Sequence, residues 1–240
     1  MEIYNVANFG FRLNPAFHCL FSYDILFPVT TAHITKPKEE QPVSGLPGNM
    51  KKIICVYSSS SPVIAPLYFE IAAELGRTIA ESGNTMLFGG GMNGLMGATA
   101  KAVHQHHGTV IGVIPKALNL KDVVYESCDE LIVTKDMRTR KGIMDEKSDA
   151  FIALPGGYGT LEELLEIITL KQLEYHNKPI VILNVNGFFD PLLSQFQTIV
   201  DQKFARAEHQ QLYFITDNVP EALTHIETYV PLVQTPKYRQ

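Results

Sequence analysis

A carboxylate that comes shortly after a glycine-rich turn is the first feature of this sequence that could do chemistry. Residues 154–160 read Leu-Pro-Gly-Gly-Tyr-Gly-Thr and follow an apolar run typical of a buried strand. Three glycines within four residues would let the main chain adopt positive φ and bring N–H groups close to a ligand. Apolar residues then recur at helical spacing, so the positive end of a helix would favour a phosphate in that space.

Two interpretations of Thr160 and Glu163 remain open at this point. Together they match the Thr-x-x-Glu pattern of a capping box, in which the two side chains serve only the N-terminus of the helix. Alternatively, the turn anchors the phosphate of a nucleotide while Glu163 faces the sugar. The turn alone does not decide between them.

A cluster of cations opens the predicted helix just before this strand. Residues 137–141 read Met-Arg-Thr-Arg-Lys, and cations in a first helical turn oppose the helix dipole, so local stability does not account for them. Arg140 could make a planar, bidentate contact to a phosphate or hold a purine. The alternative is a solvated helix face that pairs with Asp136, Asp145 and Glu146.

Three further groups of residues could bind a ligand or serve the fold. Residues 89–97 contain five glycines without the spacing of a Walker loop or of GxGxxG, so they form either a nucleotide loop or a tight turn. Serines 58–61 could hydrogen-bond a nucleotide or cap a helix, and no GxSxG motif indicates a serine hydrolase. Around His104, His106 and His107 no further ligands stand at matching spacing, so no metal site is predicted.

The elements that must position these residues alternate from Lys51 onward as strand and helix. This pattern predicts an α/β fold with a Rossmann-like, doubly wound, mostly parallel sheet that has helices on both faces. Both glycine loops then fall at the carboxyl ends of strands, where such sheets bind ligands. The predicted strands are 53–57, 85–88, 109–114, 130–134, 150–154, 179–183 and 212–215. Six helices are predicted. The first runs from Pro62 to about 82, the second from the first glycine loop to about 107, and the third from 137 to 148. The fourth follows the glycine turn at 155–160, the fifth runs from 191 to 204 and the sixth from 220 to 229.

Composition narrows the classes of protein. The net charge of −5 supplies no general attraction for nucleic acid or an anionic membrane. No apolar run approaches the ~20 residues of a membrane span, and no secretion signal is evident. The three cysteines are far apart and show no CxxC pairing, which argues against disulfides and zinc. We therefore expect a cytoplasmic protein that binds a small nucleotide.

Residues 1–50 differ from the rest in composition and periodicity and are interpreted as an N-terminal extension. Their aromatic residues show no sustained period, and residues 36–49 are rich in proline, glycine and charge, as in a linker. The aromatic part could dock on the domain, bind a partner, or lie upstream of a start at Met50. The predicted nucleotide-hydrolase domain is residues 51–240.

Four motifs, taken together, carry a resemblance. In chain order they are Gly89-Gly90-Gly91-x-x-Gly94-Leu95-Met96-Gly97, Met137-x-x-Arg140-Lys141, Ser-Asp-Ala-Phe-Ile-Ala-Leu at 148–154, and Pro155-Gly156-Gly157-x-Gly159-Thr160-x-x-Glu163. As a set they resemble the LOG ("lonely guy") family of nucleoside 5′-monophosphate phosphoribohydrolases, formerly described as lysine decarboxylases. The resemblance covers about residues 51–204.

The resemblance implies an enzyme that hydrolyses the N-glycosidic bond of cytokinin riboside 5′-monophosphates, AMP or both. It also implies a homodimer that needs no metal or redox cofactor. The essential residues of the family fall on Arg140, which would position the substrate or ease departure of the base, and Glu163, which would stabilise charge on the sugar or orient water. The predicted substrate-binding residues are Ser59, Gly90, Gly91, Met137, Lys141, Gly156, Gly157, Gly159 and Thr160.

The sequence departs from the family pattern in three places. Arg138-Thr139 replaces a usual His-Glu, serines 58–60 replace Cys-Gly-Ser, and Glu174-Tyr175 replaces a common Gly-Ile. Each change could reshape the base pocket. The main rival interpretation is a non-catalytic nucleotide sensor or carrier on the same fold. A lysine decarboxylase ranks below both, because no pyridoxal-phosphate lysine pattern is evident.

Overall fold

The computed structural model describes residues 51–232. The predicted extension, residues 1–50, lies outside the described residues. Within the described range the strands are β1 Ile53–Tyr57, β2 Thr85–Phe88, β3 Thr109–Pro115, β4 Glu130–Thr134, β5 Ala150–Ala153, β6 Ile180–Leu183 and β7 Phe214–Thr216. The α-helices are α1 Pro66–Glu81, α2 Gly94–Gln105, α3 Met137–Lys147, α4 Tyr158–Gln172, α5 Asp190–Asp201 and α6 Val219–Glu227.

The described strands form one sheet in the order β4-β3-β2-β1-β5-β6-β7, and every neighbouring pair is parallel. This confirms the predicted doubly wound α/β fold. The order reverses between β1 and β5, and the crevice at such a reversal is where open parallel sheets bind ligands. The loops that follow these two strands are the serine run and the glycine turn.

Different helices cover the two faces of the sheet. Along β1, Ile54 and Val56 pack with buried residues of α1, α2 and α6, whereas Cys55 and Tyr57 pack on the opposite face with α3, α4 and α5. This alternation follows the two-residue period of a strand. The helices that carry Arg140 and Glu163 therefore lie on the same face.

Two predicted boundaries are wrong by a few residues. The first helix was expected to begin near Pro62 but begins at Pro66, because Ala65 before it is extended, as a residue preceding proline prefers. The last strand begins at Phe214 rather than 212, because residues 207–212 form 3₁₀ turns. The other elements agree with prediction to within a few residues.

The C-terminus of α4 has a backbone conformation that favours glycine at position 174. Glu174 has φ +64°, its N–H donates to the carbonyl of Lys171, and the N–H of Tyr175 donates to that of Leu170. This is a Schellman motif, which prefers glycine. The motif lies about 22 Å along α4 from the glycine turn. Within one chain, Glu174 and Tyr175 therefore lie far from that turn, and their expected effect on the base pocket stays a prediction.

We predict that Glu174→Gly raises the free energy of unfolding by about 1 kcal/mol, because glycine adopts positive φ without a Cβ clash. Urea unfolding measures the difference. Glu174→Ala is the matched control, since it removes the carboxylate but keeps the Cβ, and it should give no comparable gain. Equal stabilisation by both variants would show that charge, not backbone strain, matters at this position.

Candidate active site

Arg140 points inward from α3 and its side chain donates hydrogen bonds to Val113 and Glu163. Its Nε donates to the carbonyl of Val113 on β3 (2.9 Å), and its Nη1 donates to Oε1 of Glu163 on α4 (2.6 Å). Asp136 caps α3 by accepting the N–H of Thr139 at 2.7 Å, which offsets cations in the first turn. The solvated-face interpretation of Arg140 is therefore wrong, because its side chain is only 7% exposed.

Glu163 is almost as deeply buried, with 11% of its side chain exposed. Burial raises the pKa of Glu163, while the Arg140 guanidinium lowers it by Coulomb attraction and by a hydrogen bond. Lys141 also lowers this pKa and Glu162 raises it. Two groups from different helices thus form a buried ion pair, and the carboxylate titrates above its ordinary range.

The capping-box interpretation of Thr160 and Glu163 is wrong. The N-cap of α4 is Gly157, so Thr160 lies inside the first turn, where it is buried. Gly157 has extended backbone angles and starts the helix earlier than the pattern suggests. Glu163 turns to Arg140 instead of back to the helix terminus. The Glu163 side chain therefore forms a long-range ion pair instead of the hydrogen bond that a capping box requires.

The glycine turn is open on the side of the sheet edge. None of Gly156, Gly157 and Gly159 has positive φ, so that part of the prediction is wrong, whereas the predicted close approach of a ligand to their N–H groups stays a prediction. Gly156 serves packing, because a Cβ there would collide with the side chain of Thr160. A Cβ on Gly157 or Gly159 would meet no neighbouring atom within 4 Å. Neither backbone geometry nor internal packing explains these two glycines, which leave room for a ligand.

The N-terminus of α4 differs from those of α2 and α3. No side chain among the described residues caps α4, and the first N–H groups of a helix have no partner inside it. In α2, the N–H groups of Leu95 and Met96 donate to the carbonyl of Ser59 at 2.9 and 3.3 Å. In α3, Asp136 is the cap. Of these three helices, α4 has the terminus open to an anion.

Ser59 is engaged within its own loop. Its N–H donates to the carbonyl of Pro155 at 3.3 Å, and its Oγ accepts the N–H of Ser61 at 3.0 Å. Gly94, with φ +59°, permits this approach, because a Cβ there would lie 2.5 Å from the backbone carbon of Ser60. The predicted binding residue Ser59 thus joins the β1 loop to both the glycine turn and α2.

The first glycine loop is covered by the segment that precedes β4. The N–H of Tyr125 donates to the carbonyl of Gly90, and the N–H of Met92 donates to that of Val123, both at 2.8 Å. Gly91 pairs with the same segment in an antiparallel bridge that leaves its own N–H and carbonyl directed away from it. The carbonyl of Gly90 is thus used by a hydrogen bond within the fold, whereas the N–H and carbonyl of Gly91 could contact a ligand.

The histidine group supports this covering segment. His104 hydrogen-bonds the hydroxyl of Tyr125 at 2.9 Å and the carboxylate of Asp129 at 3.0 Å. Asp129 also accepts the N–H of Val110, which lowers the pKa of its carboxyl. Across residues 51–232, His, Cys, Asp and Glu side chains form no group of three that could hold a metal ion.

The two remaining predicted binding residues lie on α3. Lys141 forms ion pairs with Glu162 and with Glu166 on α4, the latter at 2.7 Å. Met137 begins α3 and is exposed. The structure therefore uses the charge of Lys141 to join α3 to α4, beside the Arg140–Glu163 pair, and leaves Met137 open to solvent.

Sequence reasoning missed one contributor to the site, the Val113 carbonyl. It named Gly89 and Ser58 within motifs but not the surroundings that the structure gives them. Gly89 lies beside the Arg140 guanidinium, and the buried Oγ of Ser58 has no hydrogen-bond partner within residues 51–232. Strand alternation could have indicated the surroundings of Gly89, because it places residue 89 on the same face as Leu87. No comparable signal exists for a main-chain carbonyl.

Comparison with known proteins places this geometry in context. The profile of a family described as possible lysine decarboxylase matches residues 96–226. A cytokinin riboside 5′-monophosphate phosphoribohydrolase of Arabidopsis thaliana is 42% identical over 178 residues, which are 74% of this chain and 84% of that protein. A protein of the same name from Oryza sativa subsp. japonica is 44% identical over 178 residues, 74% of each chain.

Solved structures of similar fold include cofactor-binding proteins. A molybdenum cofactor carrier protein from Chlamydomonas reinhardtii is 28% identical, with a TM-score of 0.57 over 73% of this chain and 96% of that one. A molybdenum cofactor binding protein from Rippkaea orientalis is 26% identical, with a TM-score of 0.57 over 74% and 96% of the two chains. None of the helices in the described part of this chain has the length and apolar character required to cross a membrane.

We predict that Ser58→Ala raises the free energy of unfolding by about 1 kcal/mol, because a buried hydroxyl without a partner is costly. Ser60→Ala is the control, since Ser60 is exposed and should change stability little. Chemical denaturation measures both. A loss of stability on replacing Ser58 would mean that its hydroxyl has a partner in solution.

Proposed function

Because this chain belongs to the LOG family of phosphoribohydrolases, we propose that the Arg140–Glu163 pair, beside the open glycine turn, is its catalytic centre. The chain is an enzyme that hydrolyses a nucleoside 5′-monophosphate to free base and ribose 5-phosphate. The observation that carries our assignment is the buried contact between Arg140 and Glu163. The pair joins a carboxylate to a guanidinium, and cleavage of a glycosidic bond needs a carboxylate that binding of a phosphate does not need.

The open N-terminus of α4 supports a position for the phosphate. Its N–H groups and helix dipole favour an anion, and the space in front of Gly157 and Gly159 admits one. Glu163 lies about 9 Å further along the same helix axis. Anchoring the 5′-phosphate at the turn therefore directs the sugar, and not the phosphate, toward the carboxylate.

The chemistry of the pair follows from charge. Cleavage of the ribosyl C–N bond develops positive charge on the sugar, and the Glu163 carboxylate is placed to stabilise that charge or to orient the attacking water. Water supplies the oxygen that bonds to C1′ and a proton for the departing base. Arg140 keeps Glu163 ionised by lowering the carboxyl pKa that burial raises. Its guanidinium also fixes the direction of the carboxylate through the 2.6 Å hydrogen bond.

The rival function is a non-catalytic carrier, and the similar molybdenum cofactor carrier protein shows that this fold is found in proteins so described. The Arg140–Glu163 pair favours the enzyme. Incubation with AMP and with isopentenyladenosine monophosphate, followed by detection of free base and ribose 5-phosphate, separates the two. Binding without release of base would favour the carrier.

Further features of the function extend this proposal. The substrate is a purine 5′-monophosphate, of the cytokinin type or AMP, and the partners do not include nucleic acid or membrane. The enzyme is a homodimer in the cytoplasm, as the family resemblance implies. The net charge of −5 supports a small nucleotide over a polymeric one.

We predict that Glu163→Gln lowers kcat about 10²- to 10⁴-fold, because the amide keeps a hydrogen-bond acceptor for Arg140 but carries no charge. For the unmodified enzyme, kcat/KM should fall as pH decreases through the raised pKa of Glu163, because only the ionised carboxylate is active. Turnover assays across pH measure both effects. Full turnover by Glu163→Gln would remove Glu163 from the mechanism.

We predict that Gly159→Ala raises the KM for the nucleotide about 10-fold, because the new methyl group occupies the space for the phosphate. Its stability should stay equal or rise by up to about 1 kcal/mol, since alanine is the better helix former. Gly142→Ala is the matched control: it also lies in a helix with no atom within 4 Å of its Cβ position, and its KM should not change. An unchanged KM in Gly159→Ala would argue against phosphate binding at the turn.

A further inference from the structure

The position of Arg140 depends on a residue that has no side chain. Gly89 is buried directly after β2, and a Cβ built on it would collide with Nη2 of Arg140, lie 2.7 Å from Cε of Met96 and lie 3.2 Å from Cζ of Arg140. Gly89 does not have a positive φ, so the backbone itself does not require glycine there. The space above residue 89 is filled by the guanidinium, which makes the shortest of these contacts, and by the end of the Met96 side chain.

The guanidinium is enclosed on three sides. Its Nε meets the carbonyl of Val113, its Nη1 meets Glu163, and its Nη2 lies against Gly89. The walls come from neighbouring strands, because β2 and β3 pair with Phe88 opposite Gly112. Gly89 and Val113 are the next residues of these two strands. Together they form a slot at the carboxyl ends of β2 and β3.

We propose that Gly89 is a positioning residue for the hydrolysis, because the slot it leaves directs the Arg140 guanidinium onto the Glu163 carboxylate. This inference rests on the proposed function of the pair. The main chain at residue 89 has little freedom to move away from a new side chain, since the residue before it, Phe88, is paired with Val56 of β1 on one edge and with Gly112 of β3 on the other. A methyl group at residue 89 therefore moves the guanidinium.

The displacement would change the chemistry of Glu163 and not only the packing. Leaving the slot removes the hydrogen bonds of Arg140 to both Val113 and Glu163. Lys141 would remain as a cation near Glu163, and Glu162 as an anion. With its strongest cationic partner gone, Glu163 would bind a proton at higher pH.

The first test is Gly89→Ala. We expect kcat to fall about 100-fold with a smaller change in KM, and the acid limb of the kcat/KM profile to move to higher pH. Carbon-13 NMR titration of the Glu163 carboxyl should show the same upward shift without any turnover. Gly142→Ala is the control and should leave both readouts unchanged. Unaltered kinetics and titration in Gly89→Ala would overturn the proposal.

A double-mutant cycle with Arg140→Lys tests whether the effect passes through Arg140. Lysine lacks the Nη2 group that the new methyl group meets. In the Arg140→Lys background, Gly89→Ala should therefore lower kcat less and raise the pKa of the Glu163 carboxyl less. Equal losses in both backgrounds would overturn the proposal. If Gly89→Ala alone does not fold, Met96→Ala is added to both backgrounds, because Cε of Met96 also lies close to the new Cβ. The variant that combines Gly89→Ala, Arg140→Lys and Met96→Ala should then fold, and its failure to do so would overturn the proposal.

The NMR titration separates this inference from the proposed function. Suppose that Gly89→Ala raises the pKa of Glu163 while the unmodified protein releases no base from either nucleotide. The positioning of Arg140 by Gly89 is then supported and the assignment as a phosphoribohydrolase is wrong. If instead the unmodified protein is active and Gly89→Ala leaves the Glu163 titration unchanged, the assignment is supported and the positioning role of Gly89 is wrong.

Discussion

Two opposite charges buried between α3 and α4 impose the main constraint on this structure. A buried charge must be paired, and removing one member of such a pair costs about 3–5 kcal/mol. Arg140 and Glu163 are separated by a strand and a turn in sequence, so their 2.6 Å contact requires α3, β5 and α4 to keep one arrangement. The second ionic contact, from Lys141 to Glu162 and Glu166, joins the same helices nearer the solvent.

Around this pair, three helix N-termini at the carboxyl edge of the sheet differ in the group that accepts hydrogen bonds from their first N–H groups. The N-terminus of α2 receives a main-chain carbonyl, that of α3 receives the Asp136 side chain, and that of α4 stays open. The first two residues of α4 are exposed, and their N–H groups have no partner inside the helix. This is the feature on which the proposed position of the phosphate rests.

Much of the fold was predictable because it depends on local patterns. Apolar runs and helical periodicity located the strands and helices, and parallel connectivity required both glycine loops to meet at one edge. The roles of Arg140 and Glu163 needed four motifs together, since each residue alone had an adequate local explanation. Both local explanations failed for the same reason: Glu163 was taken for a capping partner and Arg140 for a solvated cation, but each satisfies the other across the fold. For Gly157 and Gly159 the expected positive φ is absent, and the open space at their Cβ positions became visible only from the three-dimensional surroundings.

The hydrogen bonds of Ser59 have a mechanical consequence. Through one residue, the loop after β1 is bonded to Pro155 in the glycine turn and to the first turn of α2. These three segments come from adjacent strands and would otherwise fluctuate independently. Hydrogen bonds that link the three segments reduce the number of conformations each can adopt, so the ordering of loops subtracts less from the free energy with which an anion binds there.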